Sequence, residues 1–206
     1  ELNSNEKIDF SRYNYFYATY LANEGKIEEA NKIINSSLKS FPRNLLLSQY
    51  KIDLKNKNYD IDFDCRNQSH VSAEILYIAA NALSTQSFYL FSNFYLNLAK
   101  YLNKNFDSFD TLLAENFYKT DKTEQAKKIY NKIGSHGTAY YWYAAKQNAK
   151  IFIKEKRKEK ALKLLDNAYQ KLAEKGIYEK FDYAEFLKNN DQFEESILLY
   201  TEIIRE

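Results

Sequence analysis

The sequence predicts an all-α fold built from stacked pairs of antiparallel helices. The chain has 206 residues, of which 45% are hydrophobic and 28% charged, enough apolar material for a sizeable core. It contains only 4 glycines and 1 proline, a composition that argues against β-sandwiches and glycine-rich phosphate loops. The net charge of +2 gives no overall field that would favour nucleic acid. No apolar stretch reaches the roughly 18 residues of a membrane span, so we expect no membrane insertion.

Small residues recur in pairs separated by 12 residues. The pairs are Ala18 with Ala30, Ala80 with Ser92, Ala114 with Ala126, Ala149 with Ala161, and Ala184 with Ser196. A large apolar side chain follows each first member after three residues and each second member after four. A small residue on each of two helices lets their backbones approach closely, and the large residues fill the space beside that contact. The pattern therefore predicts five helix–turn–helix units.

Polar turns separate the two helices of four units, at residues 23–26, 120–123, 155–158 and 190–193. Acidic residues such as Glu28 and Glu124 follow in the first turn of the next helix, where they complement the positive end of the helix dipole. Pro42 closes the first unit.

With this pattern the chain resembles tetratricopeptide repeat (TPR) proteins, and residues 11–44 are its best single repeat. The looser repeats are residues 73–106, 107–141, 142–176 and 177–206. The style of the repeats resembles TPR proteins of α-proteobacteria. The resemblance implies a right-handed α-solenoid over residues 1–206, with about five TPR-like units and one irregular insertion.

Residues 45–72 form the insertion, which we expect to contain a degenerate helix and an extended crossover. The helix is predicted over residues 44–56, packing Leu46, Leu47, Tyr50 and Leu54 on the preceding unit. The stretch 59–65 alternates apolar and acidic residues, which predicts a strand with one apolar face formed by Tyr59, Ile61, Phe63 and Cys65. A less favoured hypothesis places residues 57–70 in the binding groove as an internal pseudo-ligand.

Three aspartates have the opening spacing of an EF-hand calcium loop, namely Asp60, Asp62 and Asp64. Cys65 stands where the loop needs glycine, and Val71 stands where it needs the bidentate glutamate. We therefore predict a solvated acidic strand face and no metal site.

The lone cysteine does not point to catalysis. Cys65 could pair with His70 or His136, but the sequence around them offers no third orienting group and no glycine-rich oxyanion loop. A buried or half-buried structural Cys65 is the preferred interpretation. We expect no catalytic residue, no cofactor and no enzyme activity.

The TPR resemblance implies that the first helix of each pair lines a concave groove. Residues turned away from the partner helix are the candidate contacts to a partner: Tyr15, Tyr77, Asn81, Tyr143, Lys146, Gln147, Lys150, Tyr178 and Phe181. Trp142 is expected to pack between repeats. The candidates predict a non-catalytic scaffold that binds a protein or peptide segment with apolar anchors and an acidic group opposite Lys146 and Lys150.

Two alternative functions stay open. The chain could be a structural module that packs against the rest of its parent chain or a second copy, because the last helix, at 193–205, carries many apolar residues and no polar cap follows it. We expect the chain to continue beyond Glu206 or to self-associate through that helix. Methionine is absent even at position 1, which suggests a processed piece, with a lean towards an exported, periplasmic bacterial protein. The least favoured alternative is a domain appended to an enzyme.

Overall fold

The computed structural model describes residues 9–60 and 62–206, and the secondary structure of these residues consists of α-helices without strands. In chain order the helices are α1 Ser11–Asn23, α2 Ile27–Ser40, α3 Leu45–Lys55, α4 Gln68–Thr85, α5 Tyr89–Leu102, α6 Asp107–Lys119, α7 Thr123–Ile133, α8 Thr138–Lys154, α9 Lys158–Gln170, α10 Ile177–Lys188 and α11 Phe193–Arg205. The predicted all-α fold class is confirmed. None of the described helices is both long and apolar enough to cross a membrane.

The chain divides into two units by its packing, one up to Asn116 and one from Phe117 onward, so that the division falls within α6. In the first unit α1 packs against α2, α3 contacts both, and α4 packs against α5. In the second unit each helix from α7 to α11 packs against the next. The short turns make the paired helices antiparallel, as the repeat pattern predicts.

The small residues of the repeat pattern lie inside the protein. All ten are buried, with 2% of their surface exposed or less. In the two units that carry serine at the second position, the hydroxyl crosses to the facing helix. Ser92 Oγ donates to the Ala80 carbonyl, and Ser196 Oγ donates to the Ala184 carbonyl, both at 2.8 Å. These two hydrogen bonds confirm the predicted close contact for the Ala80–Ser92 and Ala184–Ser196 pairs.

The turn inside each helix pair repeats one backbone conformation. One residue, two positions before the second helix, is left-handed: Gly25 (φ 78°), Ser87 (65°), Asp121 (59°), Lys156 (59°) and Asp191 (64°). The next N–H donates to the carbonyl five residues back, as from Lys26 to Leu21 at 2.9 Å. This is the Schellman closure of a helix end. The accepting carbonyl belongs to the large residue three positions after the first small residue of each pair, as Leu21 follows Ala18. The same repeat position therefore serves both the packing of the helix pair and the hydrogen bond that closes the turn.

The insertion partly matches its prediction. In α3, Leu47, Tyr50 and Leu54 are buried, whereas Leu46 is half-buried. The helix contacts α1 and α2, as expected.

The predicted strand is wrong for the part of 59–65 that the structure describes, which is irregular. Cys65 is exposed, not buried or half-buried, and Phe63 is half-buried. Ile61 lies outside the described residues. Asp62 is half-buried and hydrogen-bonded, so the acidic face is not uniformly solvated. A strand needs a neighbouring strand for its backbone hydrogen bonds, and the described helices supply none.

Candidate functional site

An open groove of about 640 Å³ lies in the first unit between α1, α4 and residues 63–66. We call it the aromatic groove, and its main lining residues are Tyr13, Phe16, Tyr17 and Tyr20 of α1, Ile75 and Ile78 of α4, and Phe63. Tyr13, Tyr17 and Tyr20 are 49%, 53% and 50% exposed. Their i, i+4, i+7 spacing places them on one face of α1.

The sequence of α1 explains this second apolar face. Tyr15, Ala18 and Ala22 are buried on the face that meets the rest of the first unit. These residues on that face are enough to pack α1 against its neighbours. The tyrosines that line the groove are therefore apolar surface in excess of what the core of the helix pair needs.

A partly buried ion pair at the groove links α1 to α4. The guanidinium of Arg12 donates through Nε and Nη2 to the two carboxylate oxygens of Glu74, at 2.5 Å each. The Arg12 guanidinium also lies 3.8 Å from the ring centroid of Tyr77 and 4.5 Å from that of Phe106. Bidentate pairing and stacking on aromatic faces hold a charge firmly in a partly buried place. The negative charge of Glu74, a groove residue, is thereby neutralised within the chain.

Residues 63–66 form the third wall of the groove. The Phe63 ring stacks on Phe16 with 4.0 Å between centroids. Asp64 Oδ1 accepts from the Arg66 backbone N–H at 2.9 Å and from Arg66 Nε at 3.2 Å. These hydrogen bonds, the backbone one first, lower the pKa of the half-buried Asp64 carboxyl. The Asp64 N–H donates to His70 Nδ1 at 3.1 Å. The third wall therefore carries a second ion pair, between Asp64 and Arg66, whose two charges neutralise each other.

Asp62 fastens this wall to α1. Its Oδ2 accepts from the Tyr15 hydroxyl at 3.0 Å, and its carbonyl accepts from Asn103 Nδ2 at 2.6 Å. Burial raises the pKa of Asp62 to about 6, with nearby carboxylates such as Asp107 adding to the rise and the Tyr15 hydrogen bond opposing it. A further hydrogen bond joins Asn23 Nδ2 to the Tyr59 carbonyl at 2.9 Å.

The sequence-predicted candidates of the first unit lie outside the aromatic groove. Tyr15 is only 3% exposed and packs edge-on against Tyr50, with 5.1 Å between ring centroids. Tyr77 is half-buried under Arg12, and Asn81 is exposed. The structure does not bring these three together as one surface. Sequence reasoning missed the groove tyrosines, although their i, i+4, i+7 spacing was the signal for them.

Two of the second-unit candidates are lysines on α8. Lys146 forms an ion pair with Asp182 of α10, and its ammonium lies 5.7 Å from the Trp142 ring centroid. The Lys146 ammonium is therefore paired within the chain. Lys150 is exposed, and Gln147 between them is half-buried.

The remaining candidates of the second unit are aromatic. Tyr143 is half-buried, with its ring centroid 5.9 Å from that of Tyr130. Tyr178 and Phe181 are exposed on α10, and Phe181 meets Tyr200 edge-on at 5.7 Å. Trp142 is buried in the second-unit core, so its predicted packing role is confirmed.

Two helices carry exposed apolar faces away from the groove lining. On α5 the exposed residues are Leu90, Phe91, Phe94 and Leu98, and on α11 they are Phe193, Ile197, Leu198 and Ile204. The one charged residue of α5, Lys100, pairs with Asp110 of α6.

Residues able to hold a metal ion are not grouped in this structure. Across residues 9–60 and 62–206, no three His, Cys, Asp or Glu side chains come together in a suitable cluster. His70 Nδ1 is engaged by the Asp64 backbone, and Cys65 is exposed at the groove.

No protein-family model matches the chain, and no curated protein matches its sequence. Among solved structures it is similar to a candidate kinesin light chain of Podosopora anserina with nearly identical TPR-like repeats, at 12% identity, with 97% of this chain and 96% of that chain covered and a TM-score of 0.49. A single-substitution variant of that protein is similar at 11% identity, with 94% and 92% covered and a TM-score of 0.49. Neither similarity is high enough to assign the chain to a family.

Proposed function

We propose that the chain is a non-catalytic protein-interaction module that binds a segment of a partner protein in the aromatic groove. The observation that carries this proposal is the row of three half-exposed tyrosines, Tyr13, Tyr17 and Tyr20, along one wall of an apolar groove. Contiguous exposed apolar surface of this kind marks binding sites more often than idle surface. Tyrosine is also enriched among residues that dominate binding energy at interfaces.

The fixed walls of the groove support the same proposal. The Arg12–Glu74 pair holds α1 to α4, and the Phe16–Phe63 stack holds residues 63–66 against α1. A site whose walls are already ordered loses little conformational entropy when it binds. We therefore propose that the groove keeps its shape when a segment enters.

Four other exposed residues are proposed as additional contacts to a partner, each within its own unit: Asn81, Lys150, Tyr178 and Phe181. The more buried candidates, Tyr15, Tyr77, Tyr143, Lys146 and Gln147, are proposed to act by holding their helices in place.

Selection of peptides from a random display library on the full chain tests this function. We expect the selected peptides to bind the parent chain and to lose at least about tenfold in affinity on Tyr17→Ala, since truncating a central aromatic anchor typically removes about 2 kcal/mol or more. Tyr101→Ala is the matched control, because Tyr101 is 76% exposed and lies on α5 outside the groove lining. Circular dichroism must show the same helix content in all three proteins. Selected peptides that bind Tyr17→Ala as tightly as the parent would contradict the proposal.

A second candidate function is a structural module that self-associates. The exposed apolar residues of α5 and α11 favour it, since such surface can be buried against a second copy. Sedimentation velocity over a range of concentrations distinguishes the two functions. Self-association predicts a dimer that Phe94→Lys or Ile197→Lys dissociates, whereas a monomer at all concentrations would exclude this candidate.

A further inference from the structure

We propose that the occupant of the aromatic groove is a proline-rich segment in the polyproline II conformation, an inference that rests on the proposed function of the groove. Aromatic-lined grooves that receive this extended, preformed helix are a recurring mode of peptide recognition. Three properties of the groove support a proline-rich segment over a helical or charged one.

The first property is charge. Glu74 is bound by Arg12, and Asp64 is bound by Arg66, so both carboxylates of the groove lining are neutralised within the chain. Apart from Cys65 and the paired Arg66, the remaining lining residues are aromatic or aliphatic. A groove whose charges are already paired is complementary to an uncharged segment, and charged peptide groups would lose hydration in it without gaining a partner.

The second property is spacing. At about 1.5 Å of rise per residue, Tyr13 and Tyr17 are about 6 Å apart along α1, and Tyr17 and Tyr20 about 4.5 Å. A polyproline II helix rises about 3.1 Å per residue, so the tyrosine steps correspond to roughly one and a half to two residues of the ligand. A polyproline II segment of about four residues therefore spans the row of three tyrosines.

The third property is hydrogen bonding. Each of the three half-exposed tyrosines carries a hydroxyl that can donate a hydrogen bond. Polyproline II has no internal backbone hydrogen bonds, so its carbonyls need outside donors, and proline has no N–H that would need an acceptor. An α-helical ligand satisfies its own carbonyls and would leave these hydroxyls unused. A ligand added as a β-strand needs a sheet edge, and the described residues form no sheet.

The test measures the affinity of the full chain for two labelled peptides by fluorescence anisotropy. One is an oligoproline of about nine residues, which makes about three polyproline II turns. The other has the same length with alanine and leucine in place of proline. We expect the oligoproline to bind at least about tenfold more tightly, and Tyr17→Ala to remove at least about tenfold of that affinity. Tyr17→Phe removes the hydroxyl alone and is expected to reduce affinity about threefold to tenfold, whereas Tyr101→Ala leaves it unchanged.

The outcomes separate this inference from the proposed function. Equal binding of both peptides, lost from both on Tyr17→Ala, would overturn the preference for proline and leave the groove as a binding site. The preference for proline is also overturned if the oligoproline fails to bind while display-selected peptides without proline bind through Tyr17. If no peptide shows binding that depends on Tyr17, both proposals are wrong.

Discussion

Replacing Asn116 by alanine is expected to destabilise the first unit by about 3 kcal/mol. Asn116 lies on α6 with no exposed surface, and its amide joins α6 to α4 and α5. Its Oδ1 accepts from Ser84 Oγ at 2.6 Å. Its Nδ2 donates to Ser92 Oγ at 2.8 Å and to Asn93 Oδ1 at 2.9 Å.

The magnitude follows from what the substitution leaves behind. Ser84 is buried and would lose this acceptor, and a buried polar group left without a partner costs about 1–3 kcal/mol. Ser92 keeps its hydrogen bond to the Ala80 carbonyl, and the half-buried Asn93 can turn to water, so their losses are smaller. The missing side-chain volume adds about 1 kcal/mol for the cavity.

Urea unfolding followed by circular dichroism measures the effect. The single tryptophan, Trp142, lies in the second unit, so its fluorescence follows the unfolding of that unit separately. Asn97→Ala is the control, because Asn97 is exposed and its side-chain amide donates to the Asn93 carbonyl within α5, at 2.7 Å. A loss for Asn116→Ala within about 0.5 kcal/mol of the control would show that the buried amide does not join the three helices as described, since surface substitutions fall in that range.

Three further substitutions test other parts of the structure. Gly25→Ala is expected to cost about 1 kcal/mol from backbone conformation alone, because Gly25 has φ 78° and nothing lies within 4 Å of an added Cβ. Asp62→Asn is expected to raise stability at pH 7 by about 2 kcal/mol and to have no effect below about pH 4. The folded pKa of about 6 exceeds the ordinary value of 3.8, so the folded state binds the proton more tightly and stability falls as pH rises through that window. Arg12→Ala is expected to cost about 3 kcal/mol, because it leaves the Glu74 carboxylate buried without its partner.

Each of these has its own check in urea unfolding. Gly25→Asn should lose less stability than Gly25→Ala, because asparagine tolerates the left-handed region, and equal losses would contradict a conformational cause. If Asp62→Asn changed the free energy of unfolding equally at all pH values, burial would not raise the pKa of Asp62 as described. Arg12→Met combined with Glu74→Leu should recover most of the Arg12→Ala loss, since it removes the buried charge together with its partner.

The repeat pattern predicted most of the fold because one set of positions serves both packing and turn closure. Ala149 and Ala161 are fully buried on the paired helices α8 and α9, and the Phe152 carbonyl between them in sequence accepts the N–H of Arg157 at 2.8 Å. Because helix packing and the turn-closing hydrogen bond both require the same spacing, that spacing can be recognised in the sequence. The irregular stretch 59–65 has no such constraint. Its alternation resembled a strand, yet two of its side chains contact α1 separately, Asp62 at Tyr15 and Phe63 at Phe16.

The candidate site was predicted less well than the fold, and α1 shows why. Tyr15 and Tyr17 are both apolar positions on helical spacings, so periodicity alone does not say which face is buried. Which face of α1 is buried depends on Tyr50 of α3, which packs on Tyr15. Because α3 belongs to the insertion, the repeat pattern does not predict this contact. The ion pair of Lys146 could not be predicted for a similar reason, because its partner Asp182 lies one repeat further along the chain.

Photo-cross-linking asks whether the aromatic groove is the surface at which a partner segment binds. A peptide selected on the full chain is synthesised with a photoreactive side chain at its anchor position, irradiated in complex with the chain, and the attached residues are located by mass spectrometry. We expect attachment within residues 13–20 and 63–78, which line the groove. Attachment confined to α5, or to Tyr178 and Phe181 on α10, would place the binding surface elsewhere and contradict the proposed function.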